Sequence, residues 1–85
     1  MKKEMMIQLA GGLEARPIAV LVQVASQYES SIYLEAGDKR VNAKSIMGMM
    51  TLAMNTGEKI VVEACGSDEA EAIEGIERYI SGQET

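Results

Sequence analysis

Two short stretches hold the residues best suited to chemistry: Gly12-Leu13-Glu14-Ala15-Arg16-Pro17 and Lys44-Ser45-Ile46-Met47-Gly48-Met49-Met50. In the first, Pro17 fits the first turn of a helix, where a missing N–H costs nothing and the fixed φ is already helical. A helix entrance offers unpaired N–H groups and positive dipole charge to an anion, and Arg16 adds a cation beside them. Glu14, itself an anion, stands where such a ligand would arrive. In the second stretch Ser45 suits a helix N-cap, its hydroxyl accepting from a first-turn N–H. A phosphate on that hydroxyl is electrostatically favoured at a helix N-terminus, so the same serine suits regulation by phosphorylation. The plainer reading leaves Ser45 an ordinary cap and the neighbouring methionines core filler.

Other chemistry is scarce. The chain has one cysteine, Cys65, and no histidine. Cys65 lies in an alternating strand with no second Cys or His for a metal site, and it has no partner for an internal disulfide, which fits a reducing compartment. No cofactor is expected.

Hydrophobic periodicity supplies the elements that must position these residues. Met5, Ile7 and Leu9 share a parity and mark a half-buried strand ended by Gly11-Gly12. Ile18, Leu21, Val22, Ala25 and Tyr28 fall on one face of a helix of about twelve residues, broken at Ser30-Ser31. Ile32 and Leu34 mark a second strand, joined through Ala36-Gly37-Asp38 to a third over residues 39–43. Ser45 then opens a helix from residue 46 to about 54, stopped by Asn55-Thr56-Gly57, with Gly57 free to take positive φ. Ile60, Val62 and Ala64 mark a fourth strand. Asp68 and Glu71 have capping-box spacing ahead of a last helix, where Glu69 suits the positive dipole end and Ala72, Ile73, Ile76 and Ile80 form the buried face.

The order is β-α-β-β-α-β-α, an α+β arrangement with one mostly antiparallel four-stranded sheet and three helices on one face. At 85 residues the expectation is a single domain over 1–85. A composition 47% apolar and 25% charged favours a packed globule over a disordered tail. The net charge of −5 argues against direct contact with nucleic acid. Glu4 and Gln8 interrupt the apolar residues near the N-terminus, so no signal peptide or membrane span is expected, and the chain reads as cytoplasmic.

Helix geometry makes a further division. If Met49 and Leu52 face the sheet, Ile46, Met47 and Met50 lie on another side, near the surface beside Ser45. Three such residues suit docking to a protein, because methionine repacks easily against different partners.

The two stretches, taken with the element order, resemble the HPr-like phosphocarrier proteins of the bacterial sugar phosphotransferase system, over residues 5 to about 80. GLEARP is similar to the family's active-site signature and VNAKSIMGMMTLAM to its regulatory-serine signature. Carrier members have a phosphoryl-accepting histidine at the position held here by Glu14. Its replacement makes the chain most similar to the catabolite-repression HPr-like, or Crh-type, regulatory branch, which lacks the histidine and keeps the serine. In that branch the residue at position 14 is glutamine, so glutamate here is a departure.

The resemblance implies an open-faced β-sandwich and no enzymatic activity. It implies phosphorylation of Ser45 by an ATP-dependent HPr kinase/phosphorylase, followed by binding to a LacI-type catabolite control repressor. Arg16 would steady the phosphate or a partner's acid, while Ile46, Met47 and Met50 would form the docking patch. Glu14 would belong to the same docking surface, and the small Ala15 and Ala19 would let the partner approach closely. Two alternatives stay open: a phosphocarrier in the transfer chain, and a constitutive docking protein for a metabolic enzyme. A monomer, or a homodimer exchanging the first strand through a Gly11-Gly12 hinge, are both compatible with the sequence.

Overall fold

The computed structural model describes residues 1–9, 15–52 and 55–82, with Ala15 described in its backbone only. Its elements follow the expected order: β1 Lys2–Met6, α1 Ala15–Ser26, β2 Ser31–Ala36, β3 Lys39–Asn42, α2 Ile46–Met49, β4 Lys59–Cys65 and α3 Glu69–Ile80. The strands form one four-stranded sheet in the order β1-β4-β2-β3, every neighbouring pair antiparallel.

Alternation in the strands decides which face is covered. Ile60, Val62 and Ala64 of β4, Ile32 and Leu34 of β2 and Met5 of β1 are buried on the helix side. They meet Ile18, Leu21 and Ala25 from α1 and Ile73, Ile76 and Ile80 from α3 in one core. Each buried Val, Leu, Ile or Met among them stabilises the fold by roughly 1.5–3 kcal/mol relative to exposure, so these layers hold α1 and α3 on the sheet. The opposite face stays open and charged. There Arg40 pairs with Glu35 at 2.7 Å and Glu63 at 2.6 Å, its guanidinium carbon 4.3 Å from the Tyr33 ring centre. The hydrogen bond from Arg40 holds the Glu63 carboxyl below the usual carboxylate range.

Three expectations need correction. The first strand lies at Lys2–Met6 rather than 5–9. Ile7 is fully buried as its parity requires, but the backbone leaves the ladder at Gln8, whose N–H donates to the Ile80 carbonyl at 2.9 Å. The second helix is Ile46–Met49, shorter than the expected run to about 54. Its end tightens: Thr51 N–H and the Thr51 hydroxyl both donate to Gly48 O, and Leu52 N–H donates to Met49 O. Residues 53 and 54 of the expected helix lie outside the described residues. Gly57 takes φ 94°, as its place in the stop signal suggests.

The third correction concerns Asp68. Spacing suggested a capping box with Glu71, yet the Asp68 side chain makes no cap bond to its own helix. It instead accepts from Glu29 N at 2.9 Å, Ser30 N at 3.0 Å and the Ser30 hydroxyl at 2.5 Å, joining the start of β2 to the start of α3. These bonds, led by the one from the hydroxyl, hold its carboxyl below the usual range. Glu69 reaches back to accept from Gly66 N at 3.3 Å.

The β2–β3 connection is the two-residue turn Gly37-Asp38, with Gly37 at φ 62°. Glycine at the first central position matches the strand twist without the steric cost of a Cβ. The register this turn sets, Leu34 opposite Val41 and Tyr33 opposite Asn42, fixes where β3 ends and hence where Ser45 emerges.

Candidate functional site at the start of the second helix

Ser45 is placed by a short series of backbone and side-chain bonds. Ala43, fully buried, donates its N–H to Ile32 O at 2.9 Å, the last hold of the sheet on this segment. Asn42 then organises the turn out of the sheet. Its side-chain oxygen accepts from Lys44 N at 2.8 Å and its carbonyl from Ser45 N at 3.0 Å. The Lys44 ammonium donates to the carbonyl of Tyr28, just beyond α1, at 2.6 Å.

Ser45 has φ −107° and ψ 111°, the extended geometry of an N-cap. Its Oγ accepts from Gly48 N at 3.3 Å and its carbonyl from Met49 N at 2.9 Å. The Oγ bond is long, and it uses a lone pair while leaving the O–H hydrogen to be given to a base. Ser45 is half-buried, and its backbone is held by these bonds.

The residues after it divide as helix geometry requires. Met49 and Leu52 are buried, whereas Ile46 is 43% exposed, Met47 81% and Met50 58%. Arg16 is exposed in the first turn of α1, and α1 packs against α2. One turn along from Arg16, Val20 is 37% exposed. Sequence reasoning passed over Val20 because it falls off the Ile18-Leu21-Ala25 face, which was the available signal that it points outward. Ala19 is half-buried, while Glu14 and the side chain of Ala15 lie outside the described residues.

Other chemistry is not assembled among the described residues. No group of three or more His, Cys, Asp or Glu side chains could hold a metal ion, and no helix is long and apolar enough to cross a membrane. Cys65 is an exposed free thiol at the end of β4. An open cavity of about 480 Å³ beside the β2–β3 turn is lined by Asp38, Lys39, Thr51, Glu58 and Lys59 among others and includes neither Ser45 nor the exposed methionines.

Comparison with known proteins gives a consistent result. A family model described as the PTS HPr component phosphorylation site matches residues 1–82. The HPr-like protein Crh of Bacillus subtilis (strain 168) is 47% identical over 74 residues, which cover 87% of each chain. The crystal structure of HPr-C-His from Thermoanaerobacter tengcongensis matches with a TM-score of 0.90 at 41% identity, covering 98% of this chain and 93% of that one. A crystal structure of Crh from Bacillus subtilis, described as a domain-swapped dimer, matches with a TM-score of 0.75 at 45% identity, covering 92% of this chain and 90% of that one.

Proposed function

The chain belongs to the HPr family, whose members are phosphocarriers and regulators rather than enzymes, and it has Crh-like relatives at 44–47% identity; on that premise we propose that it is a cytoplasmic regulatory protein of carbon metabolism switched by phosphorylation of Ser45. An ATP-dependent HPr kinase/phosphorylase transfers the phosphate, and the phosphoprotein then binds a LacI-type catabolite control repressor. The unit that acts is one domain spanning 1–85. The observation that carries this reading is a half-buried serine hydroxyl at an N-cap directly beside three exposed apolar side chains.

The mechanism is local. A phosphate adds about 1.5–2 negative charges and three acceptor oxygens at the positive end of α2 without needing to break a core contact. Ile46, Met47 and Met50 form an apolar surface next to that charge, so the partner recognised must offer cations beside an apolar pocket. Arg16, on the adjoining helix, is assigned to steadying the phosphate or a partner's acid, and the small Ala15 and Ala19 to close approach.

A phosphohistidine relay is assigned no role, because Glu14 stands at the carrier histidine's position and the chain contains no histidine to replace it. Incubation with phosphoenolpyruvate and the family's upstream phosphotransferase enzyme separates the two readings: we expect no acid-labile phosphate, and label on Glu14 would restore the carrier. Glu14 is not assigned the role of a phosphate mimic, so Glu14→Gln should leave partner affinity unchanged, whereas a marked loss would make the carboxylate a partial mimic of a phosphorylated side chain.

The test of the main proposal is repressor binding by calorimetry before and after kinase treatment. Binding only after treatment is expected; equal binding in both states would favour the constitutive docking protein, for which the exposure of Met47 and Met50 without any phosphate is the supporting observation.

A further inference from the structure

The methionines of this chain differ sharply in access. Met47 is 81% exposed and Met50 58%, while Met49, between them in sequence, is fully buried and Met5 is 7% exposed. With four-fifths of its surface open and glycine at the next position, the Met47 thioether is unshielded by its own helix. The competing targets for an oxidant are the exposed Met1 and Met6 near the N-terminus and one cysteine, in a chain with no tryptophan and no histidine.

We propose that Met47 and Met50 are a reversible oxidation site, at which an oxygen-atom donor of the peroxide class converts the docking patch from apolar to polar independently of Ser45. A thioether lone pair attacks one oxygen of hydrogen peroxide, so an S–O bond forms as the O–O bond breaks. Hydroxide leaves and takes the proton from the new S–OH group. The products are methionine sulfoxide and water, with sulfur oxidised and peroxide reduced. A dithiol reductase reverses the step, removing the oxygen as water and becoming a disulfide.

The consequence differs from that of damage to a core. No hydrogen bond of the Ser45 cap uses a thioether, since Gly48 N–H meets Ser45 Oγ and Met49 N–H meets Ser45 O. The helix therefore survives oxidation. Its exposed side changes, because a sulfoxide oxygen pressed into an apolar pocket loses hydration without gaining a donor. Ile46, with no sulfur, keeps part of the patch apolar. The effect on docking rests on the function proposed above; the site itself rests on exposure alone.

The experiment uses the whole protein in a Cys65→Ser background, which removes the competing thiol. After graded hydrogen peroxide quenched with catalase, mass-spectrometric peptide mapping should show Met47 and Met50 converted roughly tenfold faster than Met5 and Met49. Conversion of Met49 or Met5 as fast as Met47 overturns the site. The oxidised protein is then offered to the HPr kinase/phosphorylase with ATP. The KM for oxidised protein should rise at least about fivefold, as expected for a polar atom buried without a partner, and methionine sulfoxide reductase with dithiothreitol should restore it.

A variant carrying Met47→Leu and Met50→Leu supplies the control. Whatever its starting KM, peroxide should not move it, although Met1 and Met6 remain exposed at 54% and 43% and still oxidise. An unchanged KM for oxidised wild type overturns the switch. If untreated protein accepts no phosphate, the Ser45 reading fails and the oxidation map alone decides the site.

Discussion

Ser45 Oγ caps α2 through Gly48 N–H, and the same atom is the proposed phosphate acceptor. Two substitutions separate these roles. Ser45→Ala removes the cap and should lower stability by about 1 kcal/mol, measured by urea unfolding. Ser45→Asp retains an acceptor at the cap and should unfold near the wild-type midpoint, yet take no phosphate from the kinase. The cap and the patch were readable because each follows from spacing along one helix: a hydroxyl three residues before Gly48, and Ile46, Met47 and Met50 off the Met49-Leu52 face. The role of Asp68 was not readable in this way. Capping-box spacing with Glu71 is a local signal, and nothing local announces that Ser30, 38 positions away, takes the carboxylate instead.

The Asp68 contacts act between elements, fastening the entry of β2 to the entry of α3. Ser30 is 1% exposed, so its hydroxyl depends on Asp68 for a partner. A carboxyl whose pKa is depressed in the folded state contributes stability that is present above its unfolded pKa and lost as pH falls through the folded one. Asp68 is shifted down, so its contribution belongs to neutral pH and fades below about pH 4. Glu63, shifted the same way by Arg40, adds a loss of the same sign. Asp68→Asn should therefore lower the thermal midpoint at pH 7 and narrow the gap between the midpoints at pH 7 and pH 3, without closing it. A second prediction concerns α2. A Cβ at Gly48 would rest 3.6 Å from Ser45 Oγ and 3.7 Å from Val41 Cβ, ordinary contacts, and its φ is not positive. Gly48→Ala should thus raise stability by about 0.5–1 kcal/mol through lower unfolded-state entropy and better helix propensity, read by the urea midpoint. The length of α2 was the least legible feature at this scale, because apolar residues continue past Met49 while Thr51 turns back to Gly48 O.

Across the molecule, element order was legible because the periods of 2 and 3.6 switch cleanly at Gly, Ser and Asn clusters. Strand order was not given by periodicity: placing β4 between β1 and β2 needs long-range pairing that no single segment encodes. The core that results is shared by all layers, so Ile76→Ala, at a fully buried position of α3, should cost about 2–5 kcal/mol in urea unfolding. Association is a property of the same scale. Here β1 pairs with β4 of its own chain, whereas a Crh relative has been solved as a domain-swapped dimer. The expectation from the sequence that β1 exchanges through Gly11-Gly12 is tested in this chain by sedimentation over a range of concentrations, with and without Gly11→Pro. The claim on which the functional account depends is modification at Ser45. Treatment of wild type and Ser45→Ala with HPr kinase/phosphorylase and ATP, followed by intact-mass and peptide analysis, tests it most directly. The account predicts one phosphate on wild type, located at Ser45, and none on the variant; an unmodified wild type, or phosphate retained by Ser45→Ala, would contradict it.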